Sequence, residues 1–390
     1  MWRSVASNAL TFFILILIVA AGLLAWGRQA YNGPGPLTQA VCFKVERGAS
    51  LSQVSRALEA QGAVSDARIF RIGADYADKG RALKFGSYLI QPGSSMAEVV
   101  DQLTVGGQST CGREVNFRIS VATTDVVLRE LDAATNRYVE VVKFDPAVEA
   151  APAAYLDAVT ADDIRLRITV AEGVTSWQVV EGLKRADFLD GKIDQVPPEG
   201  SLAPESYEVE RGADRAALIG EMTARQARIM AELWALRAAD LPYDTPEAAM
   251  VMASIVEKET AIAEERRRVA SVFVNRLRLG MRLQTDPTVI YGITKGEGVL
   301  GRGLRQSELR RETPYNTYVI DGLPPGPIAN PGRAAIEAAL NPDSTDFLYF
   351  VADGTGGHAF AKTLDEHNIN VAKWRLLESQ RAAEPVAEEN

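Results

Sequence analysis

The apolar positions fall into three patterns along the chain, and each predicts different elements. Ala9 to Trp26 reads ALTFFILILIVAAGLLAW, and the 24 residues between Arg3 and Arg28 carry no charge. At about 1.5 Å of rise per residue, such a run matches a hydrocarbon core about 30 Å thick. Residues 1–28 are therefore expected to be a cytoplasmic tip and a transmembrane helix that enters the membrane through residues 9–26. The other reading is a cleaved signal peptide, with Ala20, Ala21 and Gly22 near the cut. Against it, Leu23, Leu24 and Trp26 extend the run past the roughly 7–15 residues usual for such a peptide. No second stretch of comparable length occurs. A single pass with Arg3 inside then places the rest of the chain on the extracytoplasmic side of the cytoplasmic (inner) membrane, in the periplasm where there is one.

Past the Pro/Gly-rich stretch Tyr31–Gln39, which closes an expected linker over 29–40, the period shortens. Val41–Val45 predicts a strand, Glu46–Ser50 a turn and cap, and Leu51, Val54 and Leu58 one buried face of a helix. Lys84–Pro92 predicts a second strand and Ser95–Leu103 a second short helix. The strand–turn–helix pattern recurs: residues 43–58 align without gaps on 168–183. Val45/Val170, Gly48/Gly173, Gln53/Gln178, Val54/Val179 and Leu58/Leu183 are identical. A duplicated unit and a shared strand–Gly–helix grammar both produce such matches. Between the copies, 112–165 shows no chemical motif and fits either a small α/β insert or a connector.

Composition and charge narrow the function. With 42 Lys and Arg against 51 Asp and Glu, the net charge is −9, which argues against a general nucleic-acid binder. Two cysteines and two histidines leave no multi-cysteine or histidine-based metal centre, so no metal and no cofactor are expected. Cys42 and Cys111 bracket the first unit. In an oxidising compartment they would bond and close a loop of about 70 residues; the alternative is two free thiols.

The candidate chemistry lies in the third pattern. Asp244-Thr245-Pro246-Glu247 is a helix start, followed by MVMASIVEKETAIAEE. On a wheel of about 100° per residue, Glu259 falls among Ala248, Met252, Ile255, Val256, Ile262 and Ala263, whereas Glu257 falls on the other side, near Met250, Ser254 and Thr260, as a solvent-facing group or one that supports the site from behind. A carboxyl in an apolar stripe is desolvated and keeps its proton near neutrality, the state a general acid needs. The alternative is a structural Glu paired with Arg276 or Arg278. Downstream, GMRLQTDPTVIYG gathers Gln284, Thr285, Asp286, Thr288 and Tyr291 on an expected loop. Tyr315-Asn316-Thr317-Tyr318, the rigid turn Gly322–Pro327 and a hairpin ending in His358 follow. Rings and amides on rigid loops suit a sugar polymer. From Arg266 to Arg311 there are eleven Lys and Arg against three Asp and Glu, which suggests a locally positive groove for an anionic glycan. A solvated face paired with Glu264 and Glu265 would explain Arg266–Arg268 alone.

The segments MASIVEKET, VFVNRLRLGMRLQTDPTVIYG, YNTY, GLPPGPIANPG and LYFVADGTGGHAF, in this order, resemble the YceG/MltG-like family of endolytic murein transglycosylases. The resemblance is looser over 41–111 and close over 166–375. It implies an α+β fold: the N-terminal transmembrane helix, a small LysM-like strand/helix subdomain over 41–111, the insert 112–165, and a mixed α/β catalytic domain over 166–378. A disordered tail is expected over 379–390. The family's catalytic glutamate maps onto Glu259. The resemblance further implies a carbon–oxygen lyase that cleaves MurNAc–GlcNAc β-1,4 bonds in nascent peptidoglycan without water. Tyr207, Gln284, Thr285, Asp286, Tyr291, Tyr315, Asn316, Tyr318 and His358 would hold the strand, and peptidoglycan synthases would be partners. The chain departs from the family at Pro204-Glu205-Ser206-Tyr207, where Pro-Asp-Thr-Tyr is common. A two-carboxylate hydrolase using Asp286 and a non-catalytic wall-binding scaffold are the other classes to be tested.

Overall fold

The computed structural model describes residues 2–105 and 109–383. The chain forms two units, one of residues 1–116, 126–144 and 150–166, the other of residues 117–125, 145–149 and 167–390.

In the first unit, helix α1 (Trp2–Asn32) contains a segment from Leu10 to Asn32 of mean hydropathy 2.5, long and apolar enough to cross a membrane. Phe12, Leu17 and Leu24 along it are exposed. The helix runs four residues past the expected end at 28, so the Pro/Gly stretch begins only at Gly33. Its last turn is packed, because Tyr31 lies against the core of the unit. A Cβ on Gly73 would come within 2.1 Å of the Tyr31 ring, so only glycine lets the two helices approach there.

Strand β1 (Val41–Val45), helices α2 (Leu51–Ala60) and α3 (Ala67–Tyr76), strand β2 (Gly86–Ile90) and helix α4 (Met96–Val105) follow. β1 and β2 pair antiparallel, with Phe43 opposite Tyr88. Their inner faces meet Val54, Leu58, Phe70, Val99 and Leu103 in one core. α3 is an element that the hydrophobic pattern did not suggest. Asp66 starts it by accepting hydrogen bonds from the amides of Arg68 and Ile69, at 2.7 and 3.0 Å. Residues 112–165 are not a connector. They form strands β3 (Arg113–Ile119), β4 (Thr124–Asp132) and β5 (Arg137–Phe144) and helix α5 (Ala153–Val159). β4 and β5 pair antiparallel through a bulge at Leu128/Arg129. The buried Glu114 on β3 accepts from Arg129 Nε at 2.9 Å, and the Arg129 guanidinium lies 4.3 Å above the Tyr138 ring. Cys42 and Cys111 form a disulfide with their Cα atoms 5.8 Å apart, and the buried Cys111 clusters with Leu89 and Leu131.

The second unit continues with β6 (Arg165–Val170), α6 (Ser176–Arg185), β7 (Leu189–Asp190), β8 (Ser206–Val209), β9 (Ala213–Asp214) and α7 (Arg215–Ala235). Helices α8 (Pro246–Glu259), α9 (Arg266–Arg278), α10 (Asp286–Thr294), α11 (Gln306–Leu309) and α12 (Arg333–Leu340) come next. The hairpin β10 (Tyr349–Ala352) and β11 (His358–Ala361) and helix α13 (Leu364–Ala383) close the unit. In this unit β6 lies between the end of β3 and β8. α7, α8, α9 and α12 share a core in which Met252, Ile255, Val256, Phe273, Ile336 and Leu340 are buried. Because α13 reaches Ala383, the tail expected from Ser379 is helical that far; residues 384–390 lie outside the described residues.

The two aligned segments adopt the same corner. Gly48 and Gly173 take φ of 77° and 78°, a region that favours glycine, and each leads into a capping box, Ser50 with Gln53 and Thr175 with Gln178. One local solution is thus used twice, whatever its origin.

The Cys42–Cys111 bridge spans 69 residues of sequence, so on the loop-entropy account its loss should destabilise the first unit by up to about 4 kcal/mol. Melting of the full chain in detergent, wild type against Cys42→Ser/Cys111→Ser, checks this. The variant is expected to unfold at lower temperature, and an unchanged transition would show that packing alone holds Cys111.

Candidate active site

Helix α8 begins where the sequence places it. Thr245 accepts from the Ala248 amide at 3.2 Å, and Pro246 occupies the first turn. Its end is earlier than the pattern suggested. Thr260 turns to an extended conformation, φ −143° and ψ 131°, so Glu259 is the last helical residue and Ile262 and Ala263 belong to the next connection. The helix still buries Met252, Ile255 and Val256 beside it.

Glu259 is mostly enclosed and accepts a hydrogen bond from Thr285 Oγ1. Burial holds its pKa above the ordinary glutamate value, and the charge of Asp286 pushes the same way. The Thr285 hydroxyl, His358 and Arg276 oppose the rise without cancelling it. The last turn of a helix adds negative potential of its own. The structural alternative for Glu259 is not what the site shows. Arg276 donates to the carbonyls of Leu348 and Leu283, each at 2.7 Å, and Arg278 pairs with Asp240 at 2.7 Å. Among the described residues Glu259 has no ion pair.

Glu257 is not a solvent-facing group. It is half-buried and accepts from the Gly332 amide at 3.0 Å, and burial raises its pKa as well. Of the two alternatives for that side of α8 the solvent-facing one fails, because α12, a remote element, covers it.

The segment expected to be a loop after Gly280 is the start of helix α10. Gln284 adopts φ 48° and places Thr285 at the N-cap. Thr285 makes no capping bond with its side chain, since that hydroxyl goes to Glu259. A missing cap typically costs about 1 kcal/mol, so the contact is held against a local preference. Two buried hydroxyls support it. The Thr285 amide donates to Thr317 Oγ1 at 3.0 Å, Thr288 Oγ1 donates to the Thr285 carbonyl at 2.8 Å, and Thr288 and Thr317 meet at 2.9 Å. Asp286, in the first turn, accepts from Tyr318 Oη at 2.7 Å.

The other expected contact residues separate into two groups. Gln284 and Asp286 are exposed, and Tyr318 and His358 are half-buried; with Thr285 they belong to the surroundings of Glu259. Asn316 and Tyr207 are buried and bind their own loops instead. Asn316 donates to the carbonyls of Glu308, Leu309 and Arg311, and Tyr207 donates to that of Ala203 at 2.8 Å. Tyr291 and Tyr315 pack on each other at 4.9 Å, with Tyr291 donating to Glu199 Oε2 at 3.3 Å.

Two functional-looking carboxyls escaped the sequence reading. Glu199 is largely buried with a raised pKa, and it accepts from the Ser176 amide at 2.8 Å and from Asn330. Only the turn Pro197-Pro198-Glu199-Gly200 marks it, which is no signal of a carboxyl hub. Glu265 pairs with His358 at 2.7 Å. A cleft of 690 Å³ opens at the other end of α8, between Gln226, Met230, Met250 and the Leu323–Pro327 turn.

Among the described residues, five of the eleven cations of the basic stretch meet carboxylates, Arg278 with Asp240 among them. Arg266 faces Glu172 at 3.7 Å, Arg267 faces Asp343 at 3.2 Å, Arg282 faces Asp321 at 3.0 Å, and Arg302 faces Glu308 at 2.6 Å. The alternative pairing with Glu264 and Glu265 does not form either, since Glu265 is taken by His358. Among the described residues no cluster of His, Cys, Asp and Glu could hold a metal ion.

An apolar anchor-like helix joined to an α+β body, with one desolvated carboxyl at a helix end, defines the class. The YceG-like family matches residues 43–143 and 143–373, and the chain belongs to that family. It is similar to the endolytic murein transglycosylase of Bacillus subtilis (strain 168), 49% identical over 119 residues, 30% of this chain and 32% of the relative. It is also similar to the endolytic murein transglycosylase of Streptococcus pneumoniae serotype 2 (strain D39), 27% identical over 383 residues, 95% of this chain and 65% of the relative. The chain thus spans less than two thirds of the length of either. A crystal structure of a YceG-like protein from Listeria monocytogenes is 27% identical, covering 85% of this chain and 99% of that one, with a TM-score of 0.44.

The raised pKa of Glu259 gives a prediction for stability. The folded chain holds a proton that the unfolded chain has released. Glu259 therefore favours folding below its unfolded pKa, and the contribution is lost as pH rises through the folded pKa. The melting temperature of Glu259→Gln minus that of wild type should grow from near zero at about pH 4 to a positive plateau in alkali. A difference independent of pH would show that folding leaves the Glu259 pKa unshifted.

Proposed function

We propose that the chain is a membrane-anchored endolytic lytic transglycosylase that cuts MurNAc–GlcNAc β-1,4 bonds in nascent peptidoglycan and leaves 1,6-anhydroMurNAc ends. The observation that carries this reading is Glu259: a carboxyl at the end of α8 whose pKa is raised by burial, with the Thr285 hydroxyl donating to it. Glu259 gives its proton to the glycosidic oxygen as the C1–O bond breaks. The sugar's own 6-hydroxyl then bonds to C1 and returns its proton to the Glu259 carboxylate. No water is consumed and the glutamate is regenerated, so one carboxyl serves as acid and then as base.

Gln284, Asp286, Tyr318 and His358 line the surroundings of that step and would hold the strand, while Tyr291 and Tyr315 offer a half-buried aromatic pair. Helix α1 would keep the reaction at the cytoplasmic membrane with the second unit on its outer side, where nascent strands are made. Release of strands by such a cut would end their elongation, and synthases are the natural neighbours. A second reading, hydrolysis with Asp286 as partner carboxylate, draws on the influence of Asp286 upon Glu259. It predicts reducing ends in place of anhydro ends.

Product analysis of the full chain in detergent on uncrosslinked glycan tests both. Glu259→Gln should remain folded and lose at least about 100-fold in rate, the lower range for a general acid, with anhydro products disappearing. A rate within tenfold of wild type would overturn the assignment. Thr285→Val removes a donor that favours the charged form, so the alkaline limb of the rate profile should move to higher pH. A shift to lower pH would contradict the role given to that hydroxyl.

A further inference from the structure

Glu265 and His358 form a unit that the single-carboxyl scheme does not use. Glu265 ends the six-residue connection between Glu259 and α9 and reaches the hairpin of β10 and β11 at two points. Its Oε1 accepts from the His358 amide at 3.0 Å, and its Oε2 meets His358 Nδ1 at 2.7 Å. Both side chains are mostly buried, at 17% exposure for His358 and 13% for Glu265. The reach requires Gly357, where a Cβ would lie 2.8 Å from Glu265 Oε1 and 3.5 Å from Ile262 Cδ1. The imidazole is further fixed by Phe350, edge to face at 5.2 Å, and by Phe360 at 6.3 Å.

A carboxylate can only accept, so Nδ1 must be the donor and the proton of the neutral ring is fixed there. Nε2 is left as an acceptor. It has no hydrogen-bond partner among the described residues and is not one of the buried unpartnered atoms. The ring also lies close enough to Glu259 for the two groups to influence each other.

We propose that Glu265 is a positioning residue that locks His358 with Nδ1 as donor, so that Nε2 accepts a hydrogen bond from a hydroxyl of the glycan strand bound beside Glu259. This deepens the reading of Glu259 and rests on it. In water a free imidazole has no carboxylate to fix its proton. In Glu265→Gln the amide offers Nδ1 both a donor and an acceptor, so the proton can shift to Nε2 and abolish the acceptor.

The chain has two histidines, which makes the tautomer directly readable by 15N spectra of histidine-labelled full chain in detergent, with His367 as internal control. In neutral wild type, His358 should show Nδ1 protonated, and Glu265→Gln should move proton density to Nε2. Kinetically, Glu265→Gln should raise KM about tenfold, the worth of one hydrogen bond of about 1.4 kcal/mol, with kcat changed less than about threefold. His358→Phe, which keeps the ring's bulk, should raise KM similarly, and adding Glu265→Gln to it should change nothing further. An unchanged His358 tautomer, full additivity of the two changes, or a fall in kcat at constant KM would each overturn the proposal. Glu259→Gln is assayed in parallel. If that variant keeps making anhydro ends, the reading of the site fails, whereas the tautomer result still decides the role of Glu265.

Discussion

The second unit is organised around one desolvated carboxyl. Glu259 sits at the end of a helix whose flanks are packed by α7, α9 and α12, so its side chain cannot turn to open water without leaving the stripe it belongs to. Several departures from local preference surround it. Thr285 gives up its cap, Gln284 takes a left-handed conformation, and Thr288 and Thr317 bury their hydroxyls against each other beneath it. None of these is favourable alone. Together they deliver one donor to one oxygen, which is how a buried carboxyl is kept functional and not merely neutral.

Arg276 shows the same economy in a different role. It is the most buried arginine of α9, and its guanidinium ties the carbonyls of Leu348 and Leu283 together. One side chain thus links the segment just before the β10–β11 hairpin with the segment leading to Thr285. Its positive field reaches Glu259 but does not pair with it, so the glutamate's pKa is restrained without being returned to an ordinary value. Counting arginines along the sequence suggested a positive groove. In three dimensions five of the eleven cations meet carboxylates supplied mostly by other elements, and the inward one serves the backbone.

What could be read from the sequence follows the range of the interactions. The apolar helix, the two glycine corners and the start of α8 are set within a few residues, by composition, capping boxes or a proline. The second glutamate of EKET stood out because its flank is apolar over three turns. The features that escaped reading depend on distant partners. Thr285 meets Glu259 across 26 residues, Tyr291 meets Glu199 across 92, and His358 meets Glu265 across 93. The end of α8 belongs with them, since residues 260–264 are drawn out of the helix while Glu265 is held by the hairpin. Asn316 and Tyr207 look like sugar-binding residues by type, yet each hydrogen bond they make closes a nearby backbone loop.

A carboxyl that must act first as acid and then as base within one cycle faces opposing demands. Too high a pKa makes it a poor donor to the leaving oxygen, and too low a pKa leaves it without a proton to give. In this site, burial and Asp286 push one way while Thr285, His358 and Arg276 pull the other. The two sets respond differently to the reaction. Desolvation persists while the strand is bound, whereas the Thr285 bond strengthens once the proton has left, because a hydrogen bond to a charged acceptor is the stronger one. In the proposed reaction the hydroxyl therefore stabilises the carboxylate at the moment it must take the proton from the 6-hydroxyl, and it does so without preventing the protonated form from existing beforehand.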